Sequence, residues 1–468
     1  MAFNNLRSAD LCCKPFVLAK GSVYILHSGC DSVRYPGSSS MKMFEFYNKK
    51  INQGLTNPAS AIWQYLDWAL VICVVSIVFV GRELENVVLV LVVLPILLAR
   101  TFTANYEVLR GHLPFIVLCA QYSIFHLLKI AFWDVQPAGE LYDNYPVEAE
   151  KWIWGLVLVP LLTVRFISMD NLVVLFHRIA PPLMLFLFLC MSVRYFTPYF
   201  EDTTRIKNLA ANVFISPLYY TIFAILLFSG DHLGLKSGRM IRYAVLVSSI
   251  ILATAYAGTR GIFIGQLVSY LALAGIFFII DGENRKVSLS ILCSIVIGVL
   301  LGFFIDLCRD GSFCERYLLL FDMIQFTSEG EEALSASMSG RSYLYQLGFE
   351  RILEHPIVGY GIAHEPIIAG PFYHMHNMYI SWMLWGGLFS LVSGLLFLLA
   401  TGCASFIKSK GVNAYIIGLS ILGPLSISML FDSFLFWKHF YLLSILTMSF
   451  AYSLGVAERR IVRDQQQR

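Results

Sequence analysis

The chain has 468 residues, 57% of them hydrophobic and 14% charged, with a formal net charge of +3. A soluble globular chain carries about 25% charged residues, so the composition excludes an ordinary water-soluble domain. The charge is near neutral and says little about partners, and nucleic acid is not expected among them.

Residues 1–60 are polar and mixed, without the apolar core of a signal peptide, and are expected to form a cytoplasmic tail. Twelve apolar stretches follow, at roughly 64–80, 84–99, 113–132, 152–168, 179–197, 210–229, 240–257, 261–280, 287–306, 377–400, 412–431 and 436–456. Their lengths suit helices that cross a bilayer. The predicted class is an all-α polytopic membrane protein, with nine spans in 61–306 and three in 377–457. Pro95, Pro160, Pro181 and Pro182 fall within or beside spans, where neighbouring helices can satisfy the freed backbone groups.

Lys and Arg orient the stack, because cytoplasmic loops keep an excess of them. Alternate connections hold Arg100 and Arg110, Arg165 and Arg178, Lys236 to Arg242, Arg285 and Lys286, and Lys408 and Lys410. The tail 458–468 adds Arg459, Arg460, Arg463 and Arg468, whereas the connection 134–151 is acidic. Both termini are therefore expected in the cytoplasm. Residues 307–376 then form one large outward loop, whose helical pattern and turn signals predict a folded segment.

Four features line up on the outward side. "AYAGTRGIFIG" puts Arg260 in a tight connection between two apolar spans. There the guanidinium lies at the membrane boundary, where an unpaired charge is costly and a partner is expected. "CMSVRYF" puts Arg194 at the end of the fifth span, and Arg205 follows in the next connection; taken alone, each reads as an arginine snorkelling to headgroups. "GRSYLYQLGFERILEHPIVGYG" puts Arg341 at the start of a helix that should stop before Pro356. The turn Gly359-Tyr360-Gly361 follows, readable as a plain turn or as a phosphate cradle. "HMHNMYISW" then places His374, His376 and Asn377 at the entrance to the tenth span.

Guanidinium forks are suited to phosphate, so several at one membrane boundary suggest a lipid-linked phosphate or pyrophosphate. The start of the tenth span is expected to add free amides and the positive end of a helix dipole. Asn377 is a capping candidate. The dipole disfavours an imidazolium, which leaves His376 able to accept a proton. A lone histidine at a helix start is also a common local hydrogen-bonding residue. His374-x-His376 has no obvious further ligands, and no metal or other cofactor is expected. Cys308 and Cys314 flank the turn pair Asp310-Gly311, and an oxidising compartment would bridge them; two separate thiols are the alternative.

Three elements together resemble the O-antigen ligase family and its related polysaccharide polymerases: Thr259-Arg260-Gly261; Arg341 with Glu354, Pro356, Gly359 and Gly361; and His376-Asn377 with Gly386 and Gly387. The resemblance covers roughly 259–390. It implies a multi-pass enzyme of the bacterial inner membrane whose active site faces the periplasm, working without metal or nucleotide. The implied donor is a glycan on undecaprenyl pyrophosphate, and the implied acceptor of a ligase is the lipid A–core oligosaccharide. A repeat-unit polymerase or a protein O-oligosaccharyltransferase of the same family is an alternative. A polysaccharide or lipid transporter is a more distant one, against which stands the crowding of candidate residues on one face. The expected division of labour gives pyrophosphate to Arg260 and Arg341 with Arg194 or Arg205, and base catalysis to His376. Asn377, His374, Gly359 and Gly361 support them.

Overall fold

The computed structural model describes residues 58–76, 95, 110–132, 145–169, 171–196, 215–229, 238–257, 260–280, 285–309, 341–369, 374–408, 412–431, 435 and 438–466. Its long helices are α1 (Pro58–Ser76), α2 (Leu113–Phe132), α3 (Tyr145–Ile167), α4 (Leu172–Phe196), α5 (Ile215–Leu226), α6 (Arg239–Ile251), α7 (Arg260–Ile280) and α8 (Arg285–Arg309). After them come α9 (Arg341–Glu354), the short α10 (Glu365–Ala369), α11 (Met378–Lys408), α12 (Val412–Ser428) and α13 (Lys438–Gln466). No strand occurs among the described residues.

Helices occupy every predicted apolar stretch except 84–99, which lies outside the described residues apart from Pro95. Among the described residues six helices, α2, α4, α7, α8, α11 and α13, are long and apolar enough to cross a membrane; α1, α5, α6 and α12 are apolar but shorter. Both bounds of α9 match the sequence reading, because Pro356 excludes helical geometry from the residue before it.

The bundle is built around α13, whose apolar window is wholly buried. Small hydroxyl residues let neighbours approach it closely and bond to it, as Tyr219 does with Ser444 at 2.8 Å. Gln266 of α7 ties α5 to α6 in the same way, bonding the Thr221 hydroxyl at 2.6 Å and the Ser249 carbonyl at 3.1 Å. By contrast α8 lies at the edge and turns Leu289, Val296, Leu300 and Phe304 outward, the surface a bilayer would cover.

Arg165 departs from the sequence reading. It was expected in a cytoplasmic connection, but it lies in the last turn of α3, buried, and pairs with Asp67 of α1. Arg178 stacks over Trp68, and Arg460 donates to the Ile167 carbonyl at 2.8 Å. These three arginines gather at one end of the bundle, and the candidate residues of the functional site gather elsewhere.

Candidate functional site

The site rests on a break in α11. At Gly386 and Gly387 the backbone leaves helical geometry (φ −152°, ψ 24° and φ 59°, ψ −148°). The turn after α9 docks into this notch. Leu384 O accepts the Tyr360 amide at 2.7 Å and the Gly361 amide at 3.3 Å, and the Leu388 amide donates to Pro356 O at 2.9 Å. Lys129 of α2 caps the turn through Val358 O at 2.7 Å. A Cβ at Gly359 would stand 2.6 Å from Gly387 N, and one at Gly387 would stand 2.2 Å from the Ile357 carbonyl carbon. Two backbones are thus in direct contact, which is why both positions are glycine. The Gly359-Tyr360-Gly361 turn is therefore a docking element, with the amides of Tyr360 and Gly361 spent on α11. Glu354 locks it back onto α9, accepting from Arg351 at 3.1 Å and from the Tyr360 hydroxyl. These two bonds hold the Glu354 carboxyl below its ordinary range.

The histidine segment enters α11 from the same side. His376 has a left-handed backbone (φ 50°), uncommon outside glycine, though histidine is among the residues that tolerate it. Asn377 caps α11 as expected, its Oδ1 accepting the amides of Tyr379 at 3.0 Å and Ile380 at 3.2 Å. The Met378 amide donates to Met429 O at 2.9 Å, and the Ser381 amide to Asn377 O at 3.0 Å. The first turn of α11 thus has no amide left for an anion, contrary to expectation. The cap and the C-terminal end of α12 consume all of them, and only the helix dipole remains. The half-buried His376 ring meets the buried His374 ring edge-on at 4.1 Å. Among the described residues no group of three or more His, Cys, Asp or Glu is placed to hold a metal ion.

The expected arginines are brought toward this segment to different degrees. Tyr345 of α9 donates from its hydroxyl to His376 O at 3.2 Å. Arg341 lies one turn earlier on that face, about 6 Å along the axis. It is half-buried and makes no ion pair among the described residues. Arg260 opens α7. The next residue, Gly261, packs against Phe431, where a Cβ would stand 2.4 Å from the Phe431 Cβ. Phe431 immediately follows Leu430, whose carbonyl accepts from the Asn377 amide group at 3.2 Å. The backbone of Arg260 therefore stands at the same end of the bundle as His376. A π-helical turn, Leu252–Tyr256, leads into it. From that turn the Tyr256 hydroxyl reaches Ser192 at 2.8 Å, two residues before Arg194 at the end of α4. Arg205 lies outside the described residues. Cys308 is an exposed free thiol near the end of α8, and Cys314 lies outside the described residues.

Sequence reasoning missed three buried groups here. Glu365, in α10, accepts from the Met375 amide at 2.8 Å, from Ser381 at 2.6 Å and from the Trp385 indole. Lys151 of α3 is buried with its ammonium 4.3 Å from the Trp152 ring and 5.8 Å from that of Trp385. Lys129 is the third. Lys129 and Lys151 sit at span ends, where lysine ordinarily snorkels. Glu365 sits in the short, mostly apolar stretch IAHEPIIA, where a lone carboxylate reads as the residue that faces water.

No curated protein matches the chain. Residues 243–399 match the family model described as O-antigen ligase, a stretch that contains Arg260, Arg341, Gly359, Gly361, His374, His376 and Asn377. Over this stretch, about a third of its length, the chain is similar to the O-antigen ligase family.

Proposed function

We propose that the protein is the ligase itself: a periplasm-facing glycosyltransferase of the inner membrane that moves O-antigen polysaccharide from undecaprenyl pyrophosphate to the lipid A–core oligosaccharide. The observation that carries this reading is the meeting of the Arg341 face of α9, the start of α7 at Arg260 and the His376 segment at one end of the bundle. The orientation that sets this end in the periplasm comes from the twelve-span reading and its charge rule, with both termini cytoplasmic.

In the proposed reaction an acceptor hydroxyl attacks the anomeric carbon of the donor sugar, on the face opposite the pyrophosphate. Its proton passes to the His376 ring. The bond from the anomeric carbon to the pyrophosphate oxygen breaks, and its electron pair leaves with undecaprenyl pyrophosphate. Arg260 and Arg341, with Arg194 or Arg205, hold that group and stabilise the charge that grows on it. Pyrophosphate needs no acid to leave, so a pair of carboxylates of the glycosidase kind is unnecessary. The anomeric centre inverts.

The test is transfer in detergent or liposomes from a glycan-loaded undecaprenyl pyrophosphate to purified lipid A–core. Wild-type protein should form the ligated product, and His376→Ala should lose roughly 100-fold or more of the rate while still accumulating in the membrane. Transfer to a second lipid-linked repeat instead of lipid A–core would identify a polymerase. Retained transfer in His376→Ala would remove the base assignment.

A further inference from the structure

Glu365 has the most completely engaged side chain beside the site. It is wholly buried, although it opens a helix of only five residues that follows a single 3-10 turn, Ile362–His364. Its Oε1 takes the Met375 amide at 2.8 Å and the Ser381 hydroxyl at 2.6 Å, and its Oε2 takes the Trp385 indole N–H. Met375 stands between the two histidines. Ser381 and Trp385 are one turn apart on α11, so they present their donors on one face. A single carboxyl therefore joins the backbone of the His374–His376 segment to the first two turns of α11. Trp385 also directly precedes the Gly386-Gly387 break that receives the turn after α9.

We infer that Glu365 is the positioning residue of the site, clamping the chain between the two histidines so that the His376 ring is presented at a fixed place beside α9. This rests on the reading of His376 as the base. The left-handed backbone at His376 persists only where its surroundings over-determine it. Glu365 supplies that from one side, at the Met375 amide, and Tyr345 from the other, at His376 O. The Ser381 hydroxyl can turn to donate or to accept, so the clamp holds with the carboxyl ionised or protonated. A carboxamide cannot replace it. One end of a glutamine side chain is a donor, and here that end must face either the Met375 or the Trp385 N–H.

The experiment compares Glu365→Gln, Ser381→Ala and Trp385→Phe with wild type, purified in detergent and judged folded by a monodisperse elution profile, in the transfer assay above. Glu365→Gln is expected to lower kcat on the order of 100-fold, the effect of displacing a catalytic group by about 1 Å. KM for the lipid-linked donor should stay within about twofold, because the arginines that bind it are untouched. Ser381→Ala removes one bond of three and should lower kcat by about tenfold at most. A kcat for Glu365→Gln within about threefold of wild type, or a loss confined to KM, overturns the inference. If Glu365→Gln does not accumulate, Ser381→Ala and Trp385→Phe decide by the same criterion: both retaining wild-type kcat overturns it. His376→Ala in parallel separates the two readings. Transfer surviving in His376→Ala ends the base assignment, whereas an inactive His376→Ala beside a wild-type-like Glu365→Gln ends only the positioning role.

Discussion

His376 holds a backbone geometry that few residues other than glycine adopt, at the junction of an irregular segment and a capped helix. A side chain launched from such a point has a direction that a helical or extended residue cannot reproduce. Arg341 makes a different demand, a planar fork at the first turn of α9. Arg341→Lys should therefore lose on the order of 100-fold in transfer, since an ammonium keeps the charge and loses the two parallel donors. A lysine variant within about threefold of wild type would reduce Arg341 to a structural residue. Glu365 titrates in a way that stability can report. Burial pushes its carboxyl from 4.5 up to about 7. The folded chain thus holds this proton more tightly than the unfolded chain, and stability falls as pH rises from 4.5 to about 7. Wild type should gain melting temperature over Glu365→Gln when the pH drops from about 8 to about 5.5. A difference between the two proteins that is flat with pH would show that Glu365 binds its proton equally in both states.

The element that organises the site is the broken α11, with the turn after α9 seated in its notch. The contact is backbone against backbone, so it tolerates no side chain. Gly387→Ala adds a Cβ 2.2 Å from the Ile357 carbonyl carbon at a positive φ, and Gly359→Ala repeats the fault from the other side. Each should cost about 1–3 kcal/mol of stability, read as a lower melting temperature, and should lower transfer because α9 carries Arg341 and Tyr345. An unchanged melting temperature in both would mean that the turn does not need the notch. The two glycine pairs lie about 27 residues apart in sequence. Each reads separately as a turn or a flexible point, and only their pairing gives them a common purpose.

At the scale of the whole molecule, the far end of the bundle is tied by a buried ion pair. Arg165 is fully buried and Asp67 nearly so. Asp67→Ala would strand the guanidinium among apolar side chains and should cost about 3 kcal/mol. The expected readout is a lowered melting temperature, with specific transfer activity of the folded fraction unchanged because the pair lies away from His376. A loss of specific activity without a loss of stability would instead couple the two ends. The central position of α13 contributes to the same result. Its small hydroxyl residues allow close approach, and the outer helices carry the large apolar side chains that a bilayer would cover.

Local composition and periodicity determined the helical class, the positions of the apolar segments that fall among the described residues, the bounds of α9 and the Asn377 cap. These depend on a residue and its near neighbours, so a linear reading reaches them. The family resemblance was likewise legible, because its residues keep a fixed order along the chain. The tertiary structure decided what those residues touch. It spent the amides at the start of α11 on Asn377 and Met429, and the amides of the glycine turn on Leu384. It drew Arg165 inward to Asp67, and it buried Glu365 against a histidine segment 10 residues away. Each outcome depends on which donors and acceptors the fold brings within bonding distance, and spacing along the sequence does not carry that information.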